Sequence, residues 1–250
     1  MSPYRIAVVT GASGGIGQAI VAELVRLGMH VHALALPDAA LDAMRGLDGV
    51  TVHGVDVRDT DDLTGSLAEL EVDVLVNNAG IIGDLQPAQR SSTAVADALI
   101  DINLRAAIHA TLAVLPGMVE RNLGHVVFTG SIAATRPTAN SAIYSATKAA
   151  LNAFADGLRL DLHGAAVRVT VLAPGRVETR LYDEAMGGHD VAVARLYSGA
   201  TAVQPADVAA LVGMALTMPA HVDVTRVEVV PTVQVFGGQV FGGSAIAEMD

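Results

Sequence analysis

Short β-branched runs alternate along this chain with longer stretches rich in alanine and leucine. Seven runs read as strands, at 5–9, 31–36, 50–55, 72–77, 124–129, 167–173 and 226–230. Most are continuously apolar rather than alternating, which is the pattern of a parallel sheet covered by helices on both faces. The segments between them, such as 18–27, 94–120 and 145–163, have helical composition and length. Repeated strand-helix units with right-handed crossovers predict an α/β architecture, a doubly wound parallel sheet. No linker divides it, so one domain over 1–250 is expected, with a tail at 233–250. In that tail QVFGG occurs twice, at 234–238 and 239–243. Two copies do not make a repeat architecture, and the tail reads as a segment that packs on a neighbouring subunit.

Composition narrows the classes. No apolar run approaches the ~20 residues a bilayer requires, and the first strand begins almost at once, which leaves no room for a signal peptide. The chain has no cysteine, so disulfides and thiolate chemistry are excluded, and a cytoplasmic location is expected. A formal charge of -11 with few, scattered Lys and Arg argues against nucleic-acid and anionic-membrane partners. The eight histidines show no ligand spacing, so no metal site is inferred. With four Phe, four Tyr and no Trp, a large aromatic substrate box is not expected.

Three motifs carry chemistry. TGASGGIG at 10–17 follows the first strand and opens a helix. Gly11, Gly15 and Gly17 permit a tight turn, close approach of backbone to a pyrophosphate and close helix packing, while the helix start offers free N–H groups to the anion. NNAG at 77–80 ends the fourth strand, at the sheet edge that borders the ligand crevice in open α/β folds. The third motif is Ser131, then Tyr144 and Lys148 four residues apart in YSATK, with Asn103 in DINLRAA as a fourth member. A four-residue spacing on a helix puts phenol and ammonium on one face, where the cation can stabilise a phenolate. Singly, each residue has a structural explanation as cap, core aromatic, solvated cation or buried amide. In this order, after a dinucleotide turn, they point to hydride transfer.

TGASGGIG, NNAG, DINL, the serine of FTGS, YSATK and APGRVET together resemble the motif set of the short-chain dehydrogenase/reductase family in its shorter form, from the first strand to about Thr179. The stretch PADVAALVGMALTMPAH and the following VTRVEVVPT resemble the C-terminal part of NADP-dependent 3-hydroxy acid and clavulanate-type dehydrogenases. The resemblance implies a Rossmann fold and an NAD(P)-dependent interconversion of a secondary alcohol and a ketone. It makes Tyr144 the acid/base, Lys148 the residue that lowers its pKa and holds the nicotinamide ribose, and Ser131 the donor that orients the substrate oxygen. Asn103 resembles the amide that holds a water in a proton relay behind Lys148. Cofactor contacts are implied for Gly11, Ser13, Gly15, Ile16 and Gly17, for Leu36, for Asp56 and Val57 at the adenine, and for Asn78, Ala79 and Gly80. Tyr144 and Lys148 complete that set with Pro174, Gly175, Val177 and Thr179 near the carboxamide. A homotetramer is implied, with a dimer next. A non-catalytic dinucleotide-binding protein is the alternative in another class, and an epimerase or dehydratase the alternative on the same scaffold. The intact four-residue set opposes the first, and the length opposes the second.

Departures from the family pattern are visible too. The crossover from Val57 to Val72 is short, which predicts a reduced outer helix. At the end of the second strand, Ala35 and Leu36 stand where an Asp for NAD or an Arg for NADP is usual, followed by Pro37 and Asp38. With no Lys or Arg between 27 and 44, charge complementarity favours NAD through Asp38 over NADP, although the C-terminal resemblance, Ser13 and Arg45 leave NADP open. A lid over 176–202, containing Tyr182, Met186 and Tyr197, is expected to close the pocket. Arg136 and Arg176 flank it, either as carboxylate clamps or as ordinary ion pairs.

Overall fold

The computed structural model describes residues 2–197 and 201–234. Seven parallel strands, β1 (Ile6–Thr10), β2 (His30–Ala35), β3 (Val50–Gly54), β4 (Val74–Asn77), β5 (Gly124–Thr129), β6 (Val167–Pro174) and β7 (Arg226–Val229), form one sheet in the order β3-β2-β1-β4-β5-β6-β7. The register aligns Ala7 with Val31 on one side and with Val74 on the other, and Val74 with His125. Successive strand residues face opposite sides of a sheet. Ala7 and Val9 accordingly join one core layer and Val8 the other.

The first layer is covered by α1 (Gly15–Arg26) and α9 (Pro205–Thr217), whose Ile20, Leu24, Val212 and Leu216 are fully or almost fully buried. In α9, Pro205 opens the first turn and the Asp207 carboxylate accepts the Gln204 N–H at 2.8 Å, which satisfies a donor that a helix start leaves free. The second layer holds α3 (Thr60–Gly65), α5 (Ala106–Glu120) and α6 (Ala142–Asp161), which pack around Phe128, Leu75 and Val126. The crossover from Val57 to Val72, predicted to be short, is so: its helix α3 has six residues, and α2 (Ala39–Asp42), in the preceding connection, has four.

One predicted element is revised. The stretch 94–120 is not a single regular helix but α4 (Thr93–Ile100), a π turn at Asp101–Arg105 and then α5. The wide turn carries Asn103, whose Oδ1 accepts the Ile81 N–H at 2.8 Å and whose Nδ2 donates to the Ile81 carbonyl at 2.9 Å. That side chain ties the helix to the segment after β4. Together these pieces form the one stretch among the described residues, Thr93–Glu120, that is long and apolar enough to cross a membrane by length and composition. Here it packs on β4, β5 and α3.

The predicted lid contains a short 3-10 turn at Arg180–Tyr182, then α7 (Asp183–Met186) and α8 (His189–Leu196). The QVFGG pair and the proposed tail packing lie outside the described residues beyond Gln234.

Candidate active site

The sheet order reverses direction between β1 and β4, and a crevice opens above their carboxyl ends, where doubly wound folds bind ligands. The glycine turn forms its floor. Gly11 has φ +62°, and a Cβ there would stand 2.8 Å from the Ala79 Cα; at Gly17 it would overlap the Gly11 carbonyl. Only glycine permits this turn to lie so close to NNAG and to its own helix. The two loops are also bonded: Asn78 Nδ2 donates to the Thr10 and Gly11 carbonyls at 3.1 and 3.0 Å, and the Asn78 and Ala79 N–H groups donate to Thr10 Oγ1, both at 3.1 Å. The start of α1 has no side-chain cap and no acidic residue in its first turn. Its N–H groups and dipole are therefore available to an anion.

The cleft above has a volume of about 510 Å3. Every residue expected to contact the cofactor lines it, from Gly11, Ser13, Gly15, Ile16 and Gly17, through Leu36, Asp56, Val57, Asn78, Ala79 and Gly80, to Tyr144, Lys148, Pro174, Gly175, Val177 and Thr179. Ser131 lines it as well. Asn103 is not in the lining; it sits behind Gly80, where an added Cβ would lie 3.1 Å from Asn103 Oδ1 and 3.4 Å from Lys148 Nζ. A cradle of glycines below an uncapped helix start, with Arg58, Lys148 and Arg180 along its wall, fits a dinucleotide.

At the adenosine end the structure adds a residue that sequence reasoning missed. Arg58 lines the cleft and pairs with Asp56 at 2.6 Å, which holds the Asp56 carboxyl below its ordinary pKa. Its signal was its place directly after Asp56-Val57. Asp38 also lines the cleft, but its carboxylate accepts the Leu41 N–H at 2.6 Å as the cap of α2.

At the other end, Ser131 follows β5 and its Oγ accepts the Ala133 N–H at 3.1 Å. Tyr144 and Lys148 project from one face of α6, with Nζ 5.9 Å from the centre of the phenol ring and donating to the Thr129 carbonyl at 2.8 Å. Both are buried. Burial raises the Tyr144 pKa, the Tyr182 phenol adds to the rise, and the Ser131 hydroxyl opposes it. Burial also lowers Lys148 to about 8. At Tyr144 desolvation therefore outweighs the help that the sequence pattern leads one to expect from Lys148.

The two flanking arginines are engaged elsewhere. Arg136 pairs with Glu228 at 2.7 Å, and Arg176 donates to the Leu196 carbonyl at 3.3 Å. Tyr182 and its neighbours Arg180 and Leu181 form the lid side of the cleft. Among the described residues no cluster of three or more His, Asp or Glu could hold a metal ion.

A doubly wound sheet whose crevice gathers a glycine turn, a serine, a tyrosine and a lysine defines a dinucleotide-dependent oxidoreductase. The chain belongs to the short-chain dehydrogenase family, whose model matches residues 5–188. It is 46% identical over 238 residues to y4eK, a short-chain type dehydrogenase/reductase of Sinorhizobium fredii, covering 95% of this chain and 96% of that one. It is 39% identical over 241 residues to the NADP-dependent 3-hydroxy acid dehydrogenase YdfG of Salmonella typhi, covering 93% and 97%. Among solved structures, the closed form of serine dehydrogenase complexed with NADP+ superposes with a TM-score of 0.89 at 36% identity, covering 93% and 97%. This protein is an NAD(P)-dependent oxidoreductase acting on a small molecule.

Proposed function

We propose that the enzyme interconverts a 3-hydroxy acid and the corresponding carbonyl compound, with Tyr144 as acid/base and NADP(H) as the preferred cofactor. The observation that carries the acid/base role is the burial of Tyr144 and Lys148 side by side in the cleft wall, with Ser131 next to the phenol. The bound dinucleotide supplies the hydride acceptor or donor and, when oxidised, a positive charge.

In the oxidative direction Ser131 Oγ hydrogen-bonds the substrate hydroxyl and holds it against Tyr144. The Tyr144 phenolate takes the hydroxyl proton as the carbonyl forms; in reduction the phenol returns it. Lys148, protonated below pH about 8, stabilises the phenolate and would hold the nicotinamide ribose when the cofactor is bound. A phenol raised by burial is a poor base, so positive charge gathered in the dry site is required to bring it into the working range. Asn103 braces the loop at Ile81 and Gly80 and holds the relay water behind Lys148. The turn Arg180–Tyr182, which lines the cleft, would shield the bound substrate from solvent.

The cofactor preference rests on the relatives' NADP dependence and on charge placement. Asp38, the residue that would favour a free ribose 2′-hydroxyl, is committed to capping α2, while Arg58 brings a cation to the adenosine end. Apolar side chains exposed on the long helices, Leu112 on α5 and Leu160 on α6, support assembly as a homotetramer. We place the enzyme in the cytoplasm.

Steady-state assays of Tyr144→Phe at 340 nm with both cofactors test the reading. Loss of the proton-transfer group at nearly constant shape should lower kcat by at least ~10²-fold with little change in cofactor affinity. A variant that keeps most of its kcat refutes the acid/base assignment, and a higher kcat/KM with NAD than with NADP refutes the cofactor preference.

A further inference from the structure

The lid side of the cleft carries polar groups that proton and hydride exchange alone do not use. Tyr182 ends the 3-10 turn at Arg180–Tyr182, which is pinned because Thr179 Oγ1 accepts the Leu181 N–H at 3.3 Å. Its ring packs on the apolar cluster of Ile82, Leu99, Ala133 and Tyr144, and it lines the cleft. Phenylalanine would fill the same apolar place. The half-buried Tyr182 hydroxyl has no hydrogen-bond partner among the described residues, so it is a donor on the cleft wall that a substrate can use. Its field reaches the Tyr144 phenol, which locates it beside the reacting group.

Charge points the same way. Arg180, on the same turn, lines the cleft, and its guanidinium has no ion pair or hydrogen bond among the described residues. The other cations along the cleft are engaged: Lys148 with the Thr129 carbonyl beside Tyr144, and Arg58 with Asp56 at the adenosine end. Arg136 is paired with Glu228, and neither it nor Arg176 lines the cleft.

We infer that the turn Arg180–Tyr182 is the element that reads a carboxylate on the substrate: Tyr182 donates its hydroxyl hydrogen to one carboxylate oxygen, and Arg180 supplies the opposing charge from the mouth of the cleft. This rests on the placement of the carbinol at Ser131 and Tyr144. The carboxylate of a 3-hydroxy acid is two bonds from its carbinol carbon, a short span that suits two neighbouring phenols. Specificity for the acid then follows from a half-buried donor and a nearby cation that an uncharged analogue leaves poorly matched.

The test compares 3-hydroxybutyrate with its methyl ester, using wild type, Tyr182→Phe and Arg180→Gln with saturating cofactor. Wild type should prefer the acid. Tyr182→Phe and Arg180→Gln should each raise the ratio of KM for the acid to KM for the ester about tenfold or more. The acid's KM in wild type should also rise with salt, and this dependence should flatten in Arg180→Gln. Equal losses on acid and ester overturn the inference, because they mark a merely structural turn. A rise in cofactor KM alone for Arg180→Gln overturns it too, by placing that guanidinium on the pyrophosphate. Neither outcome bears on Tyr144, whose role stands or falls on its own variant.

Discussion

Replacing Lys148 with methionine should yield a protein that melts at a higher temperature than wild type and turns nothing over. In the ligand-free fold the ammonium is buried, and loss of hydration draws its pKa from 10.5 down to about 8. At roughly 1.4 kcal/mol per pKa unit, this is about 3 kcal/mol by which the fold disfavours the charged form. Methionine keeps an unbranched stem of similar length and removes the charge. Against the gain stands the Thr129 carbonyl, which loses its 2.8 Å charged donor, worth about 2 kcal/mol. The balance of about 1 kcal/mol corresponds to a rise of about 2–4 °C in a chain of this size.

The sign follows from linkage. Between pH 8 and 10.5 the unfolded lysine holds a proton that the folded one has released, so wild-type stability rises with pH across that window. The advantage of the variant should therefore be full below pH 8 and shrink above it. Thermal melts of cofactor-free protein from pH 7 to 10.5 read both effects, and enzyme assays confirm the loss of turnover. A variant that melts below wild type, or an advantage independent of pH, refutes the claim that the buried charge is held at a cost to the fold.

At the sheet edge His32 Nδ1 and His53 Nε2 lie 2.9 Å apart, and burial with the neighbouring His53 and His30 lowers His32 to about 4. Stability should thus decline as the pH falls from 6.5 towards 4, since only the unfolded chain takes up these protons; His125, lowered to about 3, adds to the slope, and His32→Gln should flatten just its own share in acid melts. For assembly, light scattering at micromolar concentration should give a tetramer mass for wild type, and Leu112→Glu should shift it to a smaller species; a wild-type monomer rules the proposed assembly out.

Much of this molecule is legible in its sequence because its central strands are buried along their length and read as mainly apolar runs, such as IAVVT in β1 and VLVN in β4. The glycine turn and the Tyr144-Lys148 pair are equally legible, since their chemistry depends on local spacing: a left-handed φ at Gly11 and one shared helical face in α6. Tertiary structure decided what spacing does not encode. The π turn around Asn103 exists because that amide reaches Ile81, 22 residues away, and no local pattern announces such a bond. Asp38 looked like a free carboxylate until the cap of α2 claimed it, and Arg58, which no motif singled out, is carried to the cleft by the end of β3. The electrostatic balance at Tyr144 and Lys148 was hidden for the same reason, because desolvation depends on everything packed around a group and not on its neighbours in the chain.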